Sequence, residues 1–87
     1  MADTYDVKVR VISQKGNCGA GHKVGDEWLI SDKTPAGICM YAFNSLLVDW
    51  KLLKFGGTVP WETDPDTTRV ACIDAANPVV FELKRVR

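Results

Sequence analysis

The chain has 87 residues, of which 46% are hydrophobic and 25% charged, a composition typical of one globular domain and not of a disordered or fibrous segment. Eleven basic and eleven acidic side chains cancel and are interspersed, which disfavours nucleic acid as a partner. No secretory signal is recognisable, and no apolar run approaches the roughly 20 residues that cross a bilayer. We therefore expect a soluble, cytoplasmic single domain over residues 1–87 with no membrane contact.

The first part of the chain predicts two strands separated by a glycine-rich loop. Residues 5–13 alternate between valines and polar side chains, which is typical of a half-buried strand. Residues 16–25 contain four glycines, and these indicate tight turns with unusual backbone angles. Residues 27–31 then predict a short second strand.

A helix is predicted to begin near Pro35, with Thr34 as its N-cap, because a threonine hydroxyl can accept from an early amide and proline needs no partner there. Glycines 56 and 57 are expected to end it. Asn44, Lys51 and Lys54 are predicted to face solvent. The predicted buried stripe has spacings of three and four residues and consists of Cys39, Ala42, Phe43, Leu46, Trp50 and Leu53.

The last third of the chain predicts a loop and a hairpin. Residues 58–67 contain two prolines and three acids, so we expect a loop that Trp61 anchors to the body. Residues 69–74 and 79–86 alternate as two strands joined by a turn. The predicted fold is α+β in the order β-β-α-β-β, with one helix packed on a curved antiparallel sheet or small partial barrel.

Three cysteines and one histidine carry most of the potential chemistry. An odd number of cysteines in a reducing compartment indicates thiols, ligands or redox groups and not a disulfide framework. Cys18, Cys39, Cys72 and His22 form a complete Cys₃His donor set, as a zinc or iron site would use. Structural zinc ligands usually pair at short spacing, however, so plain packing of Cys39 and Cys72 as small hydrophobic residues stays open.

A thiol or acid-base enzyme is a second interpretation. Cys39 falls in the first turn of the predicted helix, where the dipole favours a thiolate, and His22 could act as its base. Cys72 precedes Asp74 by two residues, so both side chains point to one side of a strand. Asp74 could equally begin the following turn. The catalytic candidates are thus Cys39, Cys72, His22 and Asp74, in a pocket walled by Phe43, Trp50 or Trp61.

Five ordered segments carry a resemblance: CGAGHKVGD at 18–26, PAGIC at 35–39, FGGTVPW at 55–61, ACID at 71–74 and NPVVFEL at 77–83. With them the chain resembles a family of short, stand-alone bacterial and archaeal proteins of uncharacterised function. The resemblance spans nearly the whole chain and implies that Cys18, His22, Cys39, Cys72 and Asp74 are family features of one shared site. Ile73 is a departure, because family members often have proline there. The resemblance implies no particular reaction.

The sequence therefore predicts a small polar site where the glycine-rich loop, the helix start and the Cys72 strand meet. Its predicted role is to bind a metal ion or a small polar ligand, and the thiol or acid-base enzyme acting on a small metabolite is the alternative. A third possibility is a non-catalytic accessory or interaction module that forms a homodimer. Such a dimer would use an exposed apolar face, such as Trp61 with Val59, or the edge of the final hairpin.

Overall fold

The computed structural model describes residues 4–72 and 75–86, and these form one helix and a four-stranded antiparallel sheet. Strand β1 spans Asp6–Gln14, β2 Glu27–Ile30, helix α1 Met40–Lys54, β3 Thr67–Ala71 and β4 Val79–Val86. The order across the sheet is β2-β1-β4-β3. The predicted α+β class and element order are confirmed.

The core lies between one face of the sheet and α1. The alternation predicted from the sequence places Val7, Val9 and Val11 of β1 in the interior, each at most 1% exposed. On β4 the same face carries Phe81 and Leu83, and these pair with Val11 and Val9. The pairing of β1 with β4 shifts between residues 11 and 13, and a shift of this kind bends the strand locally.

The predicted start of α1 near Pro35 is wrong. The helix begins at Met40, and Cys39 is its N-cap in an extended conformation with φ −61 and ψ 138. Gly37 has φ 84, a left-handed conformation that cannot lie within an α-helix, so residues 35–38 form a turn. Cys39 therefore lies at the helix boundary and not in the first turn, and Thr34 is not the N-cap.

The buried stripe and the end of α1 follow the sequence pattern, with one exception. Ala42, Leu46 and Leu53 are buried, and Cys39, Phe43 and Trp50 are partly buried against the core. The exception is Lys54, predicted to face solvent but only 7% exposed. Its ammonium lies 2.7 Å from the Asp32 carboxylate and donates to the Ser31 carbonyl, so it ties the helix end to the segment after β2. No helix among the described residues has the length and apolar character to cross a membrane.

The loop between α1 and β3 is anchored by Arg85 of β4, and the predicted anchor Trp61 is wrong. Trp61 is 69% exposed, whereas Arg85 is only 3% exposed. The Arg85 guanidinium donates to the carboxylate of Asp66 and to three backbone carbonyl oxygens, those of Leu53, Gly57 and Pro65, at 2.7 to 3.1 Å. One side chain thus supplies partners to the helix end and to both ends of the loop, because a guanidinium has five donors.

The same loop holds a carboxylate whose titration is measurable. Asp64 accepts hydrogen bonds from the Asp66 backbone N–H at 2.9 Å and from the Thr67 hydroxyl at 3.1 Å, and the Lys84 ammonium lies 3.6 Å away. These interactions, the Asp66 amide first, lower the pKa of Asp64 below its ordinary value. The charged form is therefore favoured by folding.

Asp64→Asn should make the free energy of unfolding depend less steeply on pH in the acidic range. A carboxylate with a folded pKa below its unfolded value contributes stability above the unfolded pKa of about 3.9, and this contribution is lost as pH falls through the folded value. Below pH about 4 the variant should accordingly lose stability less steeply than the parent protein. Urea unfolding against pH and NMR titration of the Asp64 carboxyl measure both quantities. A midpoint for Asp64 at or above the ordinary value would contradict the expectation.

Candidate functional site

A cavity of about 570 Å³ opens between the glycine-rich loop, the start of α1 and the turn that joins β3 to β4. This volume lies within the range of small-molecule sites. Its surface is mainly apolar. The described lining residues are Cys18, Gly19, Ala20, His22, Cys39, Tyr41, Ala42, Cys72, Asn77, Val79 and Phe81.

All four residues of the predicted Cys₃His set line this one cavity. The three cysteines are half-buried free thiols, and His22 is 6% exposed. Asp74, the remaining predicted site residue, lies outside the described residues. The aromatic wall differs from the prediction, because Phe43, Trp50 and Trp61 are absent from the described lining, where the aromatic residues are Tyr41 and Phe81.

His22 is held in place by the start of α1. Its Nε2 accepts a hydrogen bond from the Cys39 backbone N–H at 2.9 Å, so one of the amides that no helical carbonyl can satisfy finds a partner. The ring packs edge-on against Trp28, with centroids 5.1 Å apart, and against Phe81 at 6.2 Å. An imidazole nitrogen that accepts cannot carry a proton, so the neutral ring is protonated at Nδ1. Nδ1 makes no hydrogen bond to the described residues, and it is not among their fully buried unpaired atoms.

The glycine-rich loop is fixed against the turn between β3 and β4. Asn77 Oδ1 accepts from the Asn17 backbone N–H at 2.8 Å. This approach requires glycine at position 16, because a Cβ there would overlap the Asn77 side chain, and Gly16 also has φ 70. Gly21, with φ 78, closes the turn that follows Cys18. These contacts place the loop at the wall of the cavity.

Cys72 is positioned by the turn that follows β3. Its backbone N–H donates to the Val79 carbonyl at 2.9 Å, and its Sγ lies 3.3 Å from the Val79 nitrogen as an acceptor. The Sγ also lies 3.9 Å from the Asn77 carbonyl oxygen. These contacts hold the sulfur at the cavity wall.

The structure also bears on metal binding. Among residues 4–72 and 75–86, no three His, Cys, Asp or Glu side chains are arranged so that they could hold a metal ion. Two of the four predicted ligands already have backbone partners, since His22 Nε2 faces the Cys39 amide and Cys72 Sγ faces the Val79 amide. The zinc or iron site at Cys18, His22, Cys39 and Cys72 stays a prediction from the sequence.

Several lining residues were not predicted as part of a site. Ala42, Val79 and Phe81 fit the core pattern of α1 and β4, and nothing in that pattern distinguishes a wall of the core from a wall of a cavity. Asn77 was predicted only as a turn residue. The close approach of Asn77 to position 16 depends on a contact between segments 60 residues apart in the chain.

Comparison with protein-family models, with curated proteins and with solved structures finds no match to the chain. The resemblance to the family of short bacterial and archaeal proteins stays a prediction from the sequence segments. The cavity is therefore the feature from which a function can be inferred.

Proposed function

We propose that the protein binds a small, neutral, mainly apolar molecule that carries one hydrogen-bond acceptor, such as a carbonyl oxygen. The observation that carries the proposal is the convergence of His22 and the three thiols on one mainly apolar cavity of about 570 Å³. The apolar body of the ligand would contact Phe81, Val79 and Ala42. Its acceptor would take the hydrogen bond that His22 Nδ1–H can donate.

The lining residues support a neutral ligand. Among the described lining residues there is no Lys, Arg, Asp or Glu. Moving a charged group from water into such surroundings is costly unless an opposite charge meets it. A neutral carbonyl loses less on desolvation, and one well-placed N–H can compensate it. We therefore propose a ligand with a mostly apolar surface in place of the small polar ligand predicted from the sequence.

The hydrogen bond of His22 favours binding over the alternative of a histidine-activated thiol enzyme. A general base needs a free nitrogen lone pair within reach of the thiol proton. The lone pair of Nε2 is occupied by the Cys39 backbone N–H, and Nδ1 carries the proton of the neutral ring. Proton abstraction from Cys39 or Cys72 by His22 would first require this hydrogen bond to break.

The test uses a pair of probes that differ in one acceptor. Acetonaphthone, a neutral aromatic ketone, should bind in the cavity and shift the backbone amide signals of Gly19, Ala20 and Val79. Ethylnaphthalene has a similar shape but no carbonyl, and we expect it to bind about 3- to 10-fold more weakly, the usual effect of one hydrogen bond. NMR titration of the full chain measures both affinities.

A matched pair of variants locates the binding. Ala20 is exposed and lines the cavity, so Ala20→Phe should fill part of the volume and weaken ketone binding by about 10-fold or more. Ala71 is an exposed position of β3 outside the lining, and Ala71→Phe should leave the affinity unchanged. Failure of the ketone to bind, or equal affinity in both variants, would overturn the proposal.

A further inference from the structure

The solvent-facing side of α1 is unusually apolar. Six residues of the helix are exposed, and together with Phe55 directly after it they form what we term the outer face: Met40, Tyr41, Asn44, Leu47, Val48, Lys51 and Phe55. Five of the seven are large hydrophobic residues, with Met40 78% and Val48 75% exposed. A surface helix normally has charged and polar residues on this side, so the outer face has the character of an unpartnered interface.

The spacing along the outer face is symmetric. Six of its residues, all except Tyr41, follow one another at separations of 4, 3, 1, 3 and 4 positions. An antiparallel second copy of the helix, centred between positions 47 and 48, would place Met40 opposite Phe55 and Leu47 opposite Val48. It would place Asn44 opposite Lys51. The four apolar side chains of these pairs would each meet an apolar one, and Asn44 and Lys51 would meet a polar one. Tyr41 stands outside these pairs, because the position opposite it is that of Lys54, which is buried.

We propose that the outer face of α1 is a homodimer interface whose occupant is a second copy of this chain, with the two helices antiparallel about a two-fold axis. A two-fold interface requires that residue i of one copy meets j of the other and that j meets i, and this pattern satisfies that requirement. A parallel pairing would bring Lys51 against the Lys51 of the second copy, whereas the antiparallel pairing brings it against Asn44.

The size of the outer face indicates a dimer of modest affinity. A helix of 15 residues is about 22 Å long. Packing two such helices covers roughly half of the approximately 800 Å² per subunit that a standard interface buries. We therefore expect a concentration-dependent dimer with a dissociation constant of micromolar order or weaker.

Two substitutions at one position test both the occupant and its orientation. Asn44→Glu would place a carboxylate opposite Lys51 of the second copy and should tighten the dimer about 3-fold or more at low salt, with the gain lost at high salt. Asn44→Lys would place two cations opposite each other and should weaken it by a similar factor. Sedimentation equilibrium over a wide range of concentration measures the dissociation constants.

Two further variants complete the experiment. Val48→Glu buries a carboxylate against Leu47 of the second copy and should abolish the dimer. Val24 is a comparably exposed valine outside the outer face, and Val24→Glu should leave the dissociation constant unchanged. Far-UV circular dichroism shows that each variant is folded. The proposal would be overturned if the parent chain were monomeric up to about 1 mM. It would also be overturned if Asn44→Glu and Asn44→Lys changed the dissociation constant in the same direction, or if Val48→Glu and Val24→Glu had equal effects.

Discussion

Replacement of Arg85 by methionine should lower the free energy of unfolding by about 3–5 kcal/mol, the range seen when one partner of a buried ion pair is removed. Methionine keeps most of the apolar stem but has no donors. The carbonyl oxygens of Leu53, Gly57 and Pro65 would lose the guanidinium, and Asp66 would lose the positive charge that now lies 3.1 Å from its Oδ1. The Leu53 oxygen would keep the hydrogen bond from the Gly56 backbone N–H at 3.2 Å. The part-buried oxygens of Gly57 and Pro65 would each lose a partner, which adds a desolvation cost.

Arg10→Met is the matched control for Arg85→Met. Arg10 also pairs with a carboxylate, that of Glu82 at 3.5 Å, but the two side chains are 48% and 29% exposed. An exposed pair contributes about 0–1 kcal/mol, so this variant should remain close to the parent protein. Urea denaturation of both variants gives the comparison. A loss below about 1 kcal/mol for Arg85→Met would show that the loop does not depend on this side chain.

Arg85→Lys separates the contribution of the positive charge at position 85 from that of the planar guanidinium geometry. Arg85→Lys keeps one positive charge, but a single ammonium cannot reach Asp66 and three carbonyl oxygens that are spread around a planar guanidinium. We expect Arg85→Lys to recover less than half of the stability that Arg85→Met loses. Full recovery would mean that the charge alone matters.

The sheet could be predicted from the sequence because strand side chains alternate with a period of two. This period identified β4 over its full length and β1 to within one residue, since one face of each strand is valine, leucine or phenylalanine. In the structure Arg85 is buried on the same side of β4 as Phe81 and Leu83. Alternation cannot show that a guanidinium there would meet the backbone of a distant loop, so the sequence favoured Trp61 as the anchor.

The start of α1 could not be predicted because the deciding contact is not local. Thr34 and Pro35 form an ordinary helix-start signal. In the structure Gly37 turns the chain, and His22, 17 residues before Cys39, supplies the acceptor for the Cys39 amide. The candidate site was predictable only in part. Cys18, His22, Cys39 and Cys72 could be selected from the sequence as candidate site residues because of their side-chain types. The apolar residues that line the cavity could not be distinguished from core residues.

His22→Ala should lower the free energy of unfolding by about 2–4 kcal/mol, a loss that combines a buried hydrogen bond and a cavity. The Cys39 backbone N–H, at the N-cap of α1, would lose its acceptor. The indole of Trp28 and the ring of Phe81 would lose their edge-on contact with the imidazole. Lys23→Ala, at the exposed neighbouring position, should change the stability by less than about 0.5 kcal/mol and is the control.

His22→Gln distinguishes the hydrogen bond from ring packing. The glutamine Oε1 can take the place of Nε2 as acceptor for the Cys39 amide, but its side chain has no ring to pack against Trp28. If the hydrogen bond is the larger contribution, His22→Gln should retain more than half of the stability that His22→Ala loses. Hydrogen exchange at the Cys39 amide should then stay slow in the glutamine variant and become fast in the alanine variant. Equal losses in the two variants, with fast exchange in both, would instead assign the effect to packing of the imidazole ring, and the start of α1 would not depend on His22 as an acceptor.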